Sequence, residues 1–159
     1  NTPSLVSPFI MWHQPHPILL AELVWRADKD AAVLDRYGEV VEATADLLAS
    51  WPIEHDGRLN LGAPMIPAQE NYDPLTTVNP TFEVEYFRWA LETAQAWRER
   101  KGRARRADWD QALAKIAPPP MKDGLYLPVE SVPDFWGAAM SDACRRHAAA
   151  AQCLSLIHI

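Results

Sequence analysis

Proline decides where this chain can be helical. Fourteen of the 159 residues are Pro, about 9% against a usual ~5%. The ring removes a backbone donor and clashes with the preceding turn, so a helix can begin at Pro but does not run through it. Between the prolines the apolar residues keep helical spacing. Pro17 suits a first helical position, and Leu19, Leu20, Leu23, Val24 and Ala27 then recur every three or four residues, which predicts a short helix. Asp30 is placed to cap a longer one with the stripe Val33, Leu34, Tyr37, Val40, Val41, Thr44, Leu47, Leu48 and Trp51. Asp35, Arg36, Glu39, Glu42 and Asp46 fall largely off that stripe, and Pro52 stops the helix. Residues 53–61 read as a small hairpin or loop around His55-Asp56-Gly57.

Residues 62–79 hold Pro64, Pro67 and Pro74 and little periodicity, and so long a loop inside a compact chain is uncommon unless it does something. The next helix, over 80–101, spreads Phe82, Tyr86, Phe87, Trp89, Ala90, Leu91, Ala94 and Trp97 over more than one face and is expected to be buried on most sides. Gly102 ends it, a short amphipathic helix follows over 106–116, Pro118-Pro119-Pro120 ends that, and 124–129 reads as extended. The order helix pair, loop, helix pair, loop predicts an all-α fold of helical hairpins with long Pro-rich loops and minor β-hairpin segments. It suggests a toroid with buried inner helices and amphipathic outer ones.

A formal net charge of -6, with no basic stripe carrying interleaved aromatics, argues against nucleic acid as a partner. The best apolar run, over 18–25, is broken by Glu22 and falls far short of the roughly 18 residues of a spanning helix, so no membrane segment is expected. The chain opens at Asn1 with neither Met nor a signal pattern and is expected to be cut from something longer. Its only cysteines, Cys144 and Cys153, lie in 142–159, an Ala-rich stretch ending Leu-Ser-Leu-Ile-His-Ile that follows no earlier pattern. That tail is expected to be non-native, a frameshift or read-through, the alternative being a natural amphipathic helix. No disulfide framework is expected.

Seven Trp accompany the prolines, and Trp offers a flat face for sugar rings while Pro stiffens the loops that carry polar contacts. Two clusters concentrate these residue types. In Trp12-His13-Gln14-Pro15-His16 the two His lack a third ligand at recognisable spacing, so no metal and no other cofactor is expected. His13, Gln14 and His16 instead suit hydroxyl groups while Trp12 stacks on a ring; turn capping and packing is the plain alternative. In Pro67-Ala68-Gln69-Glu70-Asn71-Tyr72-Asp73, Glu70 lies among amides and a phenol. Partial desolvation there can keep it protonated for work as a general acid, the alternative being an exposed loop carboxylate.

The order of these clusters, followed by Asn79-Pro80-Thr81-Phe82-Glu83, Trp97-Arg98-Glu99-Arg100 and Lys122-Asp123-Gly124-Leu125-Tyr126, resembles the six-hairpin glycosidases. These are (α/α)6 toroids and include glucoamylases, the maltose, trehalose and kojibiose phosphorylases, and bacterial α-L-fucosidases. The resemblance covers about residues 8–136 and is sharper in loops than in helices. In the phosphorylases a loop of the form Pro-Asp-Glu-Tyr-His, followed by Asn and an aromatic helix, carries the general acid. The resemblance implies that Glu70 is the acid, that Asn79 fixes the loop or contacts sugar, and that Trp12, His13, Gln14, His16, Gln69 and Tyr72 line a subsite for a carbohydrate substrate. Asn71 and Asp73 depart from the phosphorylase loop. Inverting hydrolysis needs a second carboxylate about 6.5–9.5 Å away; Asp123 and Glu130 are candidates, although relatives place the base further towards the C-terminus.

The expectation is therefore a partial (α/α)6 catalytic domain over 1–141, followed by the doubtful tail, from an inverting glycoside hydrolase. A disaccharide phosphorylase of the same group and a non-catalytic helical sugar-binding or scaffold protein are the alternatives.

Overall fold

The structure is a computed structural model, described for residues 9–70 and 72–136. The expected tail over 142–159 and Asn71 lie outside the described residues. About half of the described residues lie in four α-helices, with two small antiparallel sheets, so the described part of the fold is mostly helical. In chain order these are α1 (His16–Asp28), α2 (Ala31–Ser50), β1 (Ile53–His55), β2 (Arg58–Asn60), α3 (Thr81–Arg100), α4 (Ala107–Lys115), β3 (Met121–Lys122) and β4 (Leu125–Tyr126).

Local chemistry accounts for the ends. Pro17 sits in the first turn of α1. Asp30 caps α2 by accepting a hydrogen bond from Ala32 N at 2.9 Å. Helix α3 closes in a Schellman motif: Gly102 takes a left-handed φ of 67°, its N–H donates to Glu99 O at 2.9 Å, and Arg103 N donates to Arg98 O at 2.9 Å. Both hairpins turn on Asp-Gly, with positive φ at Asp56 and Gly57 and again at Asp123 and Gly124, as a type I′ turn requires. The second hairpin pairs Met121 with Tyr126 and Lys122 with Leu125. The expected extended segment is thus one strand of a hairpin that begins earlier, at Met121.

The chain forms two compact units. One gathers residues 9–12, 60–85 and 117–136, the other 13–59 and 86–116, and α3 passes from the first to the second after Glu85. In the second unit α1 packs on α2, and α2 on α4. Helix α3 buries residues all round, among them Tyr86, Phe87, Ala90, Leu91, Ala94 and Trp97. Gln95 stitches it to the start of α4: Nε2 donates to Arg106 O at 2.8 Å and to Asp110 Oδ1 at 2.9 Å, and Oε1 accepts from Arg106 N at 2.9 Å. Arg88 Nη1 donates to Leu113 O and Ile116 O, satisfying carbonyls left open at the end of α4.

Helices α1 and α2 depart from the apolar stripes. In α1 the buried residues are Ile18, Ala21 and Glu22, while Leu20, Leu23 and Val24 are exposed. The cause is Glu22, which accepts from Arg26 Nε at 2.8 Å, Trp97 Nε1 at 2.7 Å and Arg100 Nη1 at 2.6 Å. Those bonds turn its face of the helix inward and leave the leucines outside. In α2 the buried seam is Leu34, Gly38, Val41, Ala45 and Leu48, and Val40, Leu47 and Trp51 stand exposed beside it. Gly38 lies in the seam beside Lys101, whose Nζ pairs with Asp35 at 2.8 Å and would stand 3.2 Å from a Cβ built at Gly38.

Candidate functional site

The long loop is ordered by side chains that reach it from both ends. Asn79 is fully buried in a left-handed conformation, φ 46°. Its Oδ1 accepts from Leu61 N at 2.8 Å, and its Nδ2 donates to Asn60 Oδ1 at 2.8 Å and Glu130 Oε2 at 2.5 Å. Leu61 O accepts from Asn79 N, closing the loop's two ends on each other. Thr81 Oγ1 donates to Leu127 O at 2.5 Å and Glu130 N donates to Val78 O at 2.9 Å, so residues 127–130 fasten the same end. Within the loop, Asp73 makes an Asx turn: its Oδ1 accepts from Leu75 N at 2.9 Å and its carbonyl from Thr77 Oγ1 at 2.8 Å.

Glu70 sits at the tip of a tight turn in which its N–H donates to Pro67 O at 2.9 Å. Its backbone is left-handed, φ 53°, and its side chain is exposed. A non-Gly residue held there costs of order 1–3 kcal/mol, which the surroundings must offset. The buried carboxyl of this unit is a different one. Glu83, in the first turn of α3, is fully buried, and its Oε1 accepts from Ala68 N at 2.6 Å. Its Oε2, and Gln69 Oε1 on the turn itself, find no hydrogen-bond partner among the described residues.

Burial pushes the Glu83 carboxyl from 4.5 up to about 8, against the Ala68 N–H, which pulls it down. An unfolded chain loses this proton near the ordinary value and the folded one keeps it to about 8, so between the two folding takes up a proton. Stability present below the lower value is lost as pH rises through the upper one, by at most about 1.4 kcal/mol per pH unit. Glu83→Gln keeps the carbonyl acceptor and removes the titration. Its urea unfolding midpoint should therefore lack the fall that Glu83 gives the wild type between pH 5 and 8, so that the two curves diverge as pH rises; parallel curves would show that Glu83 carries no such proton.

The eight residues expected to form the site divide between the units. Trp12, Gln69, Glu70, Tyr72 and Asn79 belong to the first; His13, Gln14 and His16 belong to the second. Trp12 and Tyr72 are half-buried, with Trp12 Nε1 and Tyr72 OH shielded from solvent. His13 is exposed, with Gln14 Nε2 3.2 Å from its Nε2. Half-buried His16 lies with Nδ1 3.1 Å from Tyr86 OH and its ring edge-on to that phenol. Burial, with His13 as the lesser cause, lowers the His16 pKa and favours its neutral form; burial also raises Tyr86, to about 12.

Of the two further carboxylates considered for the base, Glu130 is engaged by Asn79, and Asp123 is exposed in the β3–β4 turn. Asp123 borders a cavity of about 250 Å3 together with Lys122, Leu125, Pro133, Asp134 and Trp136. Trp136 stands edge-on to Phe135 and donates from Nε1 to Tyr126 O at 3.0 Å, which fixes its indole.

Sequence reasoning passed over Glu83 and Tyr86. The available signal for Glu83 was a glutamate three residues after the Pro of Asn79-Pro80, where a helix N-terminus makes an acidic residue ordinary and therefore uninformative. Among the described residues no cluster of three or more His, Cys, Asp or Glu is placed to hold a metal ion, and no helix is long and apolar enough to cross a membrane. No family model, curated protein or solved structure matches the chain.

Proposed function

We propose that this chain is a stretch of an (α/α)6 catalytic domain, and that the enzyme cleaves a glycosidic bond with inversion, Glu70 protonating the leaving oxygen. The observation that carries the reading is an exposed carboxylate on a turn whose strained backbone is held from outside. Such a group is presented to a substrate rather than left to wander, and preorganisation of this kind is what general acid catalysis uses. Glu70 is more open than the sequence led us to expect, so the substrate ring itself would have to supply the desolvation that keeps it protonated. Two features agree with the reading: half-buried Trp12 and Tyr72 in the same unit, and the exposed stripe Leu20, Leu23 and Val24 on α1, the kind of face a helical hairpin offers to a neighbouring hairpin.

The test is a panel of α- and β-linked disaccharides offered to the intact protein with and without inorganic phosphate, the product anomer being read by proton NMR. Phosphate-independent release of a sugar with inverted configuration is the expected result. Turnover only with phosphate makes the enzyme a phosphorylase, and no turnover of any member removes the hydrolase.

A further inference from the structure

The turn that presents Glu70 is short of internal support. Pro67 has no N–H to give, the Glu70 N–H to Pro67 O bond closes the turn, and both Ala68 and Glu70 are exposed. The left-handed backbone at Glu70 nevertheless has to be kept. The hold comes from fifteen residues along the chain, where Glu83 Oε1 takes the Ala68 N–H at 2.6 Å. A fully buried carboxyl with one oxygen engaged and the other dry is poor material for a core, since an apolar side chain of that size would avoid the desolvation cost. Its place in the first turn of the buried helix α3 gives that oxygen a rigid base.

We infer that Glu83 is the positioning residue of the general acid: its carboxyl oxygen holds the 67–70 turn in the conformation that presents Glu70. The inference rests on the reading of Glu70 as the acid. Glu83 touches no substrate and acts only through Ala68. A displaced acid costs rate rather than affinity, and misplacement by about 1 Å is worth about 10²-fold.

Amide hydrogen exchange on the 159-residue chain tests the hold directly. The Ala68 and Glu70 amides of the wild type should be protected. Glu83→Met, similar in length and with only a weak thioether acceptor in place of the carboxyl oxygen, should speed both by about tenfold or more while the Leu61 amide, held by Asn79, stays unchanged. Glu83→Gln should restore protection. An unprotected Ala68 amide in the wild type, uniform acceleration at Leu61 as well, a Gln variant that behaves like Met, or a Met variant that does not fold would each overturn the proposal.

In the intact protein, on a disaccharide that the wild type cleaves, Glu83→Met should lower kcat by about 10²-fold at unchanged KM and add nothing to the loss from Glu70→Gln. Faster exchange together with undiminished turnover in Glu70→Gln would keep Glu83 as the hold of the turn and overturn the acid. A loss at Glu70→Gln with no change in exchange at Glu83→Met would keep the acid and overturn the positioning role.

Discussion

Glu70→Gln in the intact protein should lower turnover of a disaccharide by about 10²- to 10⁴-fold, the usual worth of general acid assistance, with little change in binding. Gln keeps the size and hydrogen-bonding reach of the side chain and removes only the proton that must pass to the leaving oxygen. The exposed position of Glu70 makes folding effects small, because surface substitutions away from special contacts usually stay within about 0.5 kcal/mol. The decisive comparison is between leaving groups. A glycosyl fluoride or an activated aryl glycoside leaves with little or no protonation, so its hydrolysis should be largely spared. Equal losses on both substrate types, or none on either, would remove Glu70 from the role.

Glu22→Ala should cost about 3–5 kcal/mol of folding stability, the range seen when one partner of a buried ion pair is removed. Glu22 is 1% exposed and binds three donor side chains, two of which, Trp97 and Arg100, lie on α3. Arg100 also lies 3.6 Å over the Trp25 ring, so its guanidinium is set on both sides. Removing the carboxylate strands a partly buried cation and a buried indole N–H together. Against a total stability of about 5–15 kcal/mol that is a large share, readable as a lower urea midpoint at unchanged slope.

The same contact has a pH signature opposite to that of Glu83. Burial alone would raise Glu22, but the bonds from Arg100, Arg26 and Trp97 outweigh it and hold the carboxyl below its ordinary 4.5. Its contribution is therefore present above that value and lost as pH falls through the folded one. Glu22 weakens the fold in acid and Glu83 weakens it towards mild alkali. A Glu22→Gln variant whose acid transition matches the wild type's would show that the network carries no such charge.

Helix ends were legible in the sequence because a few neighbouring atoms decide them. Pro17 falls in the first turn of α1, Asp30 caps α2 at Ala32 N, Gly102 supplies the left-handed residue after α3, and Asp56-Gly57 turns a hairpin, whereas the hairpin at Asp123-Gly124 read only as an extended segment. The loop over 62–79 was recognisable from its prolines, whereas Asn79 was singled out only by the resemblance. Which glutamate goes inside was not legible. Glu22 stands in an apolar run, Glu70 beside prolines and Glu83 in a helix's first turn, and those settings point to partial burial only for Glu70. The structure buries the other two. Trp97 and Arg100 meet Glu22 across 75 and 78 residues, and Glu83 is closed in by packing around α3, with the loop brought to it by Asn79 and Glu130 across 51. Local sequence sets backbone conformation, whose energies involve only near neighbours. The exclusion of water from a carboxyl depends on whatever remote segments close over it, and only the tertiary structure assembles those.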